Sequence, residues 1–342
     1  MLKTIQMMDK YTNTRGAIQV MACMMLLLGC AIGAFAQKGK TNQAHVGIIY
    51  PLSTNGKTAP ADTNNFSLHV IAGVSQQENN CLIAGVAGIV KGDAKGTMIS
   101  GVYNQVGGHA KGVQVAGLIN RIQHDAEGAQ IAGLLNQSGR SHGIQIAGLM
   151  NRSGDATTQV AGLVNVAKRV SGVQIAGLIN IAEQSDYPIG ILNFIKEGEQ
   201  QLGIAVDAEG STTVALRSGG RVLYGILGVG YNFKHEEARY LVEAGIGAHL
   251  VSAGAFRLNA EVTSAAMTNF EDGVYGKQRL GVLAGFRITP GIELLAGPTL
   301  NHLVSESDQT DLRDGRYLWS WDGDDVHSGF FVGGLVGVQF SL

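Results

Sequence analysis

The chain has 342 residues, 25 Lys and Arg against 27 Asp and Glu, and a formal net charge of −2, which excludes the basic excess of a nucleic-acid binder. With 49 glycines, 5 prolines, 15% charged residues and a mean hydropathy of +0.12, the composition is that of a glycine-rich, proline-poor β chain.

Residues 1–36 have the form of a secretory signal. Lys3, Lys10 and Arg15 make a basic start, Ala17 to Gly33 is apolar, and Ala34-Phe-Ala36 before Gln37 is an A-x-A cleavage site. Two other readings are a retained membrane helix, against which no charged stop-transfer segment follows, and a lipoprotein with Cys30 in a loose lipobox, Leu27-Leu-Gly-Cys30. Cleavage after Ala36 leaves Cys81 as the one cysteine, so no internal disulfide forms. No 18-residue apolar run follows residue 36, which excludes a later transmembrane helix.

His45 to Pro51 is a short apolar strand. Ser67 to Ser75 and Cys81 to Val90 carry Ile-Ala-Gly at 71–73 and 83–85. One phrase then recurs: Gly112-Val-Gln-Val-Ala-Gly-Leu-Ile-Asn120, Gly128 to Asn136, Gly143 to Asn151, Thr157 to Asn165, Gly172 to Asn180. Weaker copies stand at Thr97 to Asn104 and Pro188 to Asn193. The central glycines, Gly101, Gly117, Gly133, Gly148, Gly162, Gly177 and Gly190, are spaced 16, 16, 15, 14, 15 and 13 residues apart, a repeated supersecondary unit. Within one copy the period is two: Val173, Ile175, Gly177, Ile179 and Ile181 alternate with Gln174, Ala176, Leu178 and Asn180.

Two architectures fit. In an antiparallel meander each copy is one strand, of the nine to eleven tilted residues that cross a bilayer. In a β-solenoid each copy is one coil. Nine extended residues span roughly 30 Å, which a loop of five or six cannot retrace, so the solenoid must bend each copy at Ala-Gly.

After Asn193 the phrase ends but alternation persists. Phe256, Leu258, Ala260 and Val262 oppose Arg257, Asn259, Glu261 and Thr263; Leu280 to Ile288 oppose Arg279 and Arg287. An apolar face against a charged one is the pattern of a transmembrane barrel. Strands begin at His45, Ser67, Cys81, Thr97, Gly112, Gly128, Gly143, Thr157, Gly172, Pro188, Leu202, Ser211, Val222, Tyr240, Phe256, Arg279, Ile292 and Gly329, an even count of about 18. The long connections Leu52–Asn65, Ser264–Gln278 and Val304–Ser328 all follow odd-numbered strands, while Ser252-Ala-Gly254 and Thr289-Pro-Gly291 are tight. The expected fold is therefore all-β: an antiparallel up-and-down transmembrane barrel over 37–342, with 66–195 a repeat-built wall and 196–342 the non-repeat strands. The alternative is a β-solenoid of 15–16-residue coils followed by a smaller C-terminal barrel. Against the single barrel, the repeats lack aromatic girdles, and Leu118, Leu134, Leu149, Leu163 and Leu178 would point into its lumen.

The ending Leu335-Val-Gly337-Val-Gln-Phe340-Ser-Leu342 resembles the C-terminal signal of outer-membrane barrels, through Gly337, Phe340 and Leu342; the last residue there is more often aromatic. That resemblance implies the barrel-assembly machinery as a partner. Over roughly 66–195 the chain resembles a bacterial surface-repeat family with G-x-Q-[IV]-A-G-L-x-N units. This implies a cell-surface or outer-membrane setting and carries no activity.

Chemistry is sparse. His109, His124 and His142 lie in successive turns, which a meander would place at alternate ends, far from a metal set. Asp322-Gly-Asp-Asp325, with Asp308, Asp311 and Asp314, offers oxygen ligands without the EF-hand spacing. Tyr317, Trp319 and Trp321 fit a membrane interface. No G-x-S-x-G or dinucleotide loop is present. The sequence therefore predicts a non-enzymatic protein without cofactor or metal, exported to the outer membrane of a Gram-negative bacterium. It would be a passive pore or surface scaffold in outer-membrane lipid, with Gln114, Gln130, Gln145, Gln159 and Gln174 and Asn120, Asn136, Asn151, Asn165 and Asn180 lining the lumen. In the alternative these residues form ladders of a surface solenoid, anchored by the barrel, for adhesion to an unknown extracellular ligand.

Overall fold

The computed structural model describes residues 41–342 apart from 272–273, 307–310, 314–315 and 324–325. The predicted signal and its cleavage site at Ala36 and Gln37 lie outside the described residues. The described residues are all-β apart from one short 3-10 helix and divide into two compact units, 41–139 and 140–342.

Unit 1 is built of parallel coils. In a typical coil Ala110–Ala116 is a strand, Gly117-Leu118 a corner, and Ile119–Ile122 a second strand. Equivalent strands of neighbouring coils pair in register, Gln130 on Gln114 and Asn136 on Asn120. The first coil differs: a 3-10 helix, Gly56–Ala61, occupies the middle of the Leu52–Asn65 connection.

Unit 2 begins with coils of the same kind. Gln159 pairs with Gln145 and with Gln174, and Asn165 with Asn151 and Asn180. The last coil consists of Gln184–Ile189 and Leu192–Ile195. Eight antiparallel strands follow: Glu199–Asp207, Ser211–Gly219, Leu223–Asn232, Tyr240–Ala253, Phe256–Thr268, Tyr275–Thr289, Ile292–Glu306 and Val326–Ser341. The last pairs with the first, Phe340 on Leu202 and Gly337 on Ala205, and closes a barrel. A short strand, Trp319–Asp322, adds to the edge of Val326–Ser341 beyond the wall.

The eighteen-stranded single barrel is thus corrected. The copies between 66 and 195 are coils, and the barrel has eight strands, all from the non-repeat stretch. The bend that chain reach demands falls on the Gly-Leu pair. There the backbone of Leu118 and Ile119 donates to the Val102 carbonyl of the preceding coil, at 3.0 Å each. A Cβ on Gly117 would sit 1.9 Å from the Gly101 carbonyl oxygen, and one on Gly177 would sit 2.2 Å from that of Gly162. The corner therefore requires glycine because successive corners stack backbone on backbone.

Candidate functional site

The coils bury rows of amides beside an apolar core and leave a second set of Val, Ile and Leu exposed. Each repeat buries Gln, Ala and Asn; Gln145, Asn151, Gln159, Asn165, Gln174 and Asn180 are all 0% exposed. Stacked amides and small side chains fill the centre of the repeats, and larger apolar residues, among them Leu82, Val90, Met98 and Ile122 in unit 1, are buried beside them. The amides form ladders. In unit 1, Asn104 Nδ2 donates to Asn120 Oδ1 and Asn120 Nδ2 to Asn136 Oδ1, at 2.9 Å each. In unit 2, Asn151, Asn165 and Asn180 donate in turn to Asn165, Asn180 and Asn193 at 3.0, 3.0 and 2.8 Å. The glutamines run beside them: Gln159 Nε2 donates to Gln145 Oε1 at 2.8 Å and Gln174 Nε2 to Gln159 Oε1 at 3.0 Å. Gln114 is buried but its amide makes no hydrogen bond, so the ladder is uneven. These residues lie within coils rather than along a barrel lumen.

The apolar set faces out. Leu118 and Leu134 in unit 1 are about two-fifths exposed, as are Leu149, Leu163 and Leu178 in unit 2. They cap the corners instead of filling a lumen or a solenoid core. Val113 and Ile131, and Ile146 and Ile175, are exposed beside them. Charged residues collect at the opposite turns, including Lys111 with Glu127 at 3.0 Å and Arg169 with Asp155 at 2.9 Å. On one such edge the rings of His109 and His124 stack at 5.2 Å. A meander would have separated these two; parallel coils bring successive turns together.

The barrel too exposes an apolar set. Leu202, Ile204, Val206, Val242, Ile246 and Val282 face out and are exposed. Inside, Arg217 donates two hydrogen bonds to Glu261, at 2.8 and 3.0 Å, and Tyr224 OH donates to Glu261 at 2.9 Å. Arg279 pairs with Glu243 at 2.9 Å. Arg257 binds Glu199 at 2.6 and 2.8 Å and lies 3.7 Å from Glu293. Lys277 meets Asp207 at 2.6 Å and Glu209 at 3.0 Å. An eight-stranded barrel is just wide enough for its side chains to fill. Where Lys277, Arg313 and Phe331 meet, the cavity is about 10 Å³.

Aromatic residues mark both rims. Tyr231, Phe233, Tyr240 and Phe270 cluster at one end, while Phe256 and Phe286 pair at the other. From Tyr240 to Ala253, which pairs with Phe256, the strand rises roughly 43 Å, or about 33 Å along a barrel axis tilted by about 40°. Trp319 and Trp321 are exposed on the edge strand. Phe340 and Leu342 are also exposed, at the end of the closing strand. Of the acidic residues weighed for calcium, Asp308, Asp314, Asp324 and Asp325 lie outside the described residues; Asp311 accepts from Tyr317 and Asp322 contacts His327. Among the described residues no group of three or more His, Cys, Asp or Glu is arranged to hold a metal. Cys81 is a half-buried thiol in a coil strand.

One cluster has no counterpart in the sequence reading. At the first coils of unit 1, His45, Asn64, His69 and Glu78 are buried together. Glu78 Oε1 accepts from Ser67 at 2.7 Å and from Asn64 at 3.1 Å; the His45 and His69 rings meet edge-on at 4.4 Å. Burial pushes Glu78 up to about 7. Burial and the neighbouring His69 push His45 down to about 3, and burial pushes His69 down to about 4. The three titratable groups are 9 to 33 residues apart and only the coil path unites them, so no local motif announces them.

No family model and no curated protein matches the chain. The crystal structure of Neisserial surface protein A (NspA) is similar over 42% of this chain and 94% of its own, at 18% identity and a TM-score of 0.24. Agreement that slight carries no argument, and the barrel rests on its strand pairing.

Proposed function

We propose that the protein is a non-catalytic outer-membrane protein of a Gram-negative bacterium, in which an eight-stranded barrel is the anchor and the coils are the scaffold it holds. The observation that carries this reading is the barrel's polarity. Paired charges are buried in its inside, among apolar clusters such as Leu283, Leu295 and Leu335, while Val, Leu and Ile cover its outside, which suits hydrocarbon and not water. Rims of aromatic residues about one bilayer apart support it. On this reading outer-membrane lipid is the partner, the N-terminal signal is cleaved between Ala36 and Gln37, and Gly337, Phe340 and Leu342 are read by the assembly machinery.

Between a pore and a scaffold, the packed interior favours the scaffold. Arg217, Glu261, Tyr224, Arg279 and Glu243 occupy the space a solute would need. The test takes the full chain. In detergent or lipid it should fold to a form that migrates differently in electrophoresis with and without boiling, and it should open no ion channel in planar bilayers. A full chain that folds cooperatively as a monomer in detergent-free buffer would overturn the anchor; discrete conductance steps would return the pore.

A further inference from the structure

We propose that the coils of residues 140–195 lie on the periplasmic side of the membrane, not on the cell surface. The inference rests on the barrel spanning the outer membrane and goes beyond it, because it assigns a side to the scaffold.

The barrel has two unlike ends. At one end the strands are joined by residues 220–222, by Gly254-Ala255 and by Pro290-Gly291. At the other, connections run through 233–239, 269–274 and 307–325, the last carrying the Trp319–Asp322 strand; only the 208–210 turn there is short. Outer-membrane barrels keep short turns in the periplasm and send long loops outside.

The last coil is fixed to the short-turn end. Asn193, the final rung of its ladder, donates from its backbone to Ser218 Oγ at 3.0 Å and from its side chain to the Ser218 carbonyl at 3.1 Å. The Arg221 guanidinium makes two 2.8 Å hydrogen bonds to Asp186, and Val222 N donates to the Asp186 carbonyl at 3.3 Å. Gly220 and Gly225 lie so near the coil backbone at Ser185 and Gly190 that a Cβ on either would overlap it. Ser218, Gly220, Arg221 and Val222 all belong to the Ser211–Asn232 hairpin at its tight turn. The coil thus caps the periplasmic rim, and the hairpin in turn covers the ladder's open edge. The same end receives the chain at Glu199, consistent with an even strand number.

The experiment uses the full chain with its signal, expressed in a Gram-negative host, with Cys81→Ser as background. One variant adds Glu236→Cys, in the exposed 233–239 connection; another adds Lys168→Cys, at an exposed coil turn. Cells are treated with a membrane-impermeant maleimide before and after the outer membrane is permeabilised, and each variant is checked for the boiling-dependent mobility shift. The expected result is labelling of Glu236→Cys in intact cells and of Lys168→Cys only after permeabilisation, a change of at least tenfold. Labelling of Lys168→Cys in intact cells overturns the proposal, whether or not Glu236→Cys also reacts. Failure of the parent chain to fractionate with the outer membrane would instead overturn the barrel reading.

Discussion

Replacing Asn165 by Ala tests whether the buried amide ladder holds the coils. Asn165 Nδ2 donates to the Ile175 carbonyl at 2.6 Å and to Asn180 Oδ1 at 3.0 Å, and its Oδ1 accepts from Asn151 at 3.0 Å. Alanine removes these three hydrogen bonds, each worth about 0.5–1.5 kcal/mol, together with a long fourth to the Gln159 carbonyl at 3.5 Å, and leaves the Asn180 oxygen without its donor in a fully buried site. Asn151 keeps its bond to the Val160 carbonyl at 2.8 Å, so its amide is not stranded. The sum is about 3 kcal/mol. Hydrogen–deuterium exchange of the full chain in detergent reads this locally, with peptides across 155–182 compared with barrel peptides across 240–268. A loss of about 3 kcal/mol is roughly a 150-fold rise in exchange over the coil peptides, with the barrel peptides unchanged. Asn165→Asp should be at least as damaging at neutral pH, because a carboxylate would face the Ile175 carbonyl with nothing to donate. Leu163→Ala, at an exposed corner, should change exchange less than threefold. Native-like protection in Asn165→Ala would refute the ladder as a source of stability.

Three further outcomes are expected. Gly177→Ala places a Cβ 2.2 Å from the Gly162 carbonyl oxygen and should cost about 1–3 kcal/mol in the same exchange measurement; wild-type protection would mean the corners are not in contact. Arg217→Met strands the buried Glu261 and should cost about 3–5 kcal/mol, seen as a lower temperature for loss of the compact electrophoretic form, while Arg217→Met with Glu261→Gln should recover part of it. Denaturant titration of unit 1 against pH should report the His45, His69 and Glu78 cluster. Glu78, raised from 4.5 to about 7, takes up a proton on folding between those values, so its contribution is present at low pH and lost as pH rises. His45 and His69, lowered from 6.5 to about 3 and 4, release protons on folding, so theirs is lost as pH falls below 6.5. Between pH 5 and 6 the unfolded chain holds about one proton more than the folded one, a slope of about 1.4 kcal/mol per pH unit; Glu78→Gln should double it. An unchanged slope would show that Glu78 is not protonated there.

The barrel was legible strand by strand. The eight starts read at Leu202, Ser211, Val222, Tyr240, Phe256, Arg279, Ile292 and Gly329 fall within four residues of the observed strand starts, because exposed apolar positions alternate with buried ones along most of each strand. The repeats misled for a definite reason. The corner consumes two residues, Gly177-Leu178, so parity survives the bend: Gln174 and Ala176 before it, and Asn180 and Ala182 after it, all face inward. A strand, a corner and a second strand then print the same period-two text as one long strand. The faces do not help, since coil and barrel alike bury polar side chains on one face and expose many of their Val, Ile and Leu on the other. Aromatic girdles were thin in the repeats because those residues form no barrel wall; the rings sit on the later strands. What separates the two folds is reach. Five or six turn residues cannot carry the chain back along a nine-residue strand, and only a bend at the glycine lets each copy return to stack on the last. That stacking is also what selects glycine there, so the most regular residue of the repeat records the distance between coils, not the course of a strand.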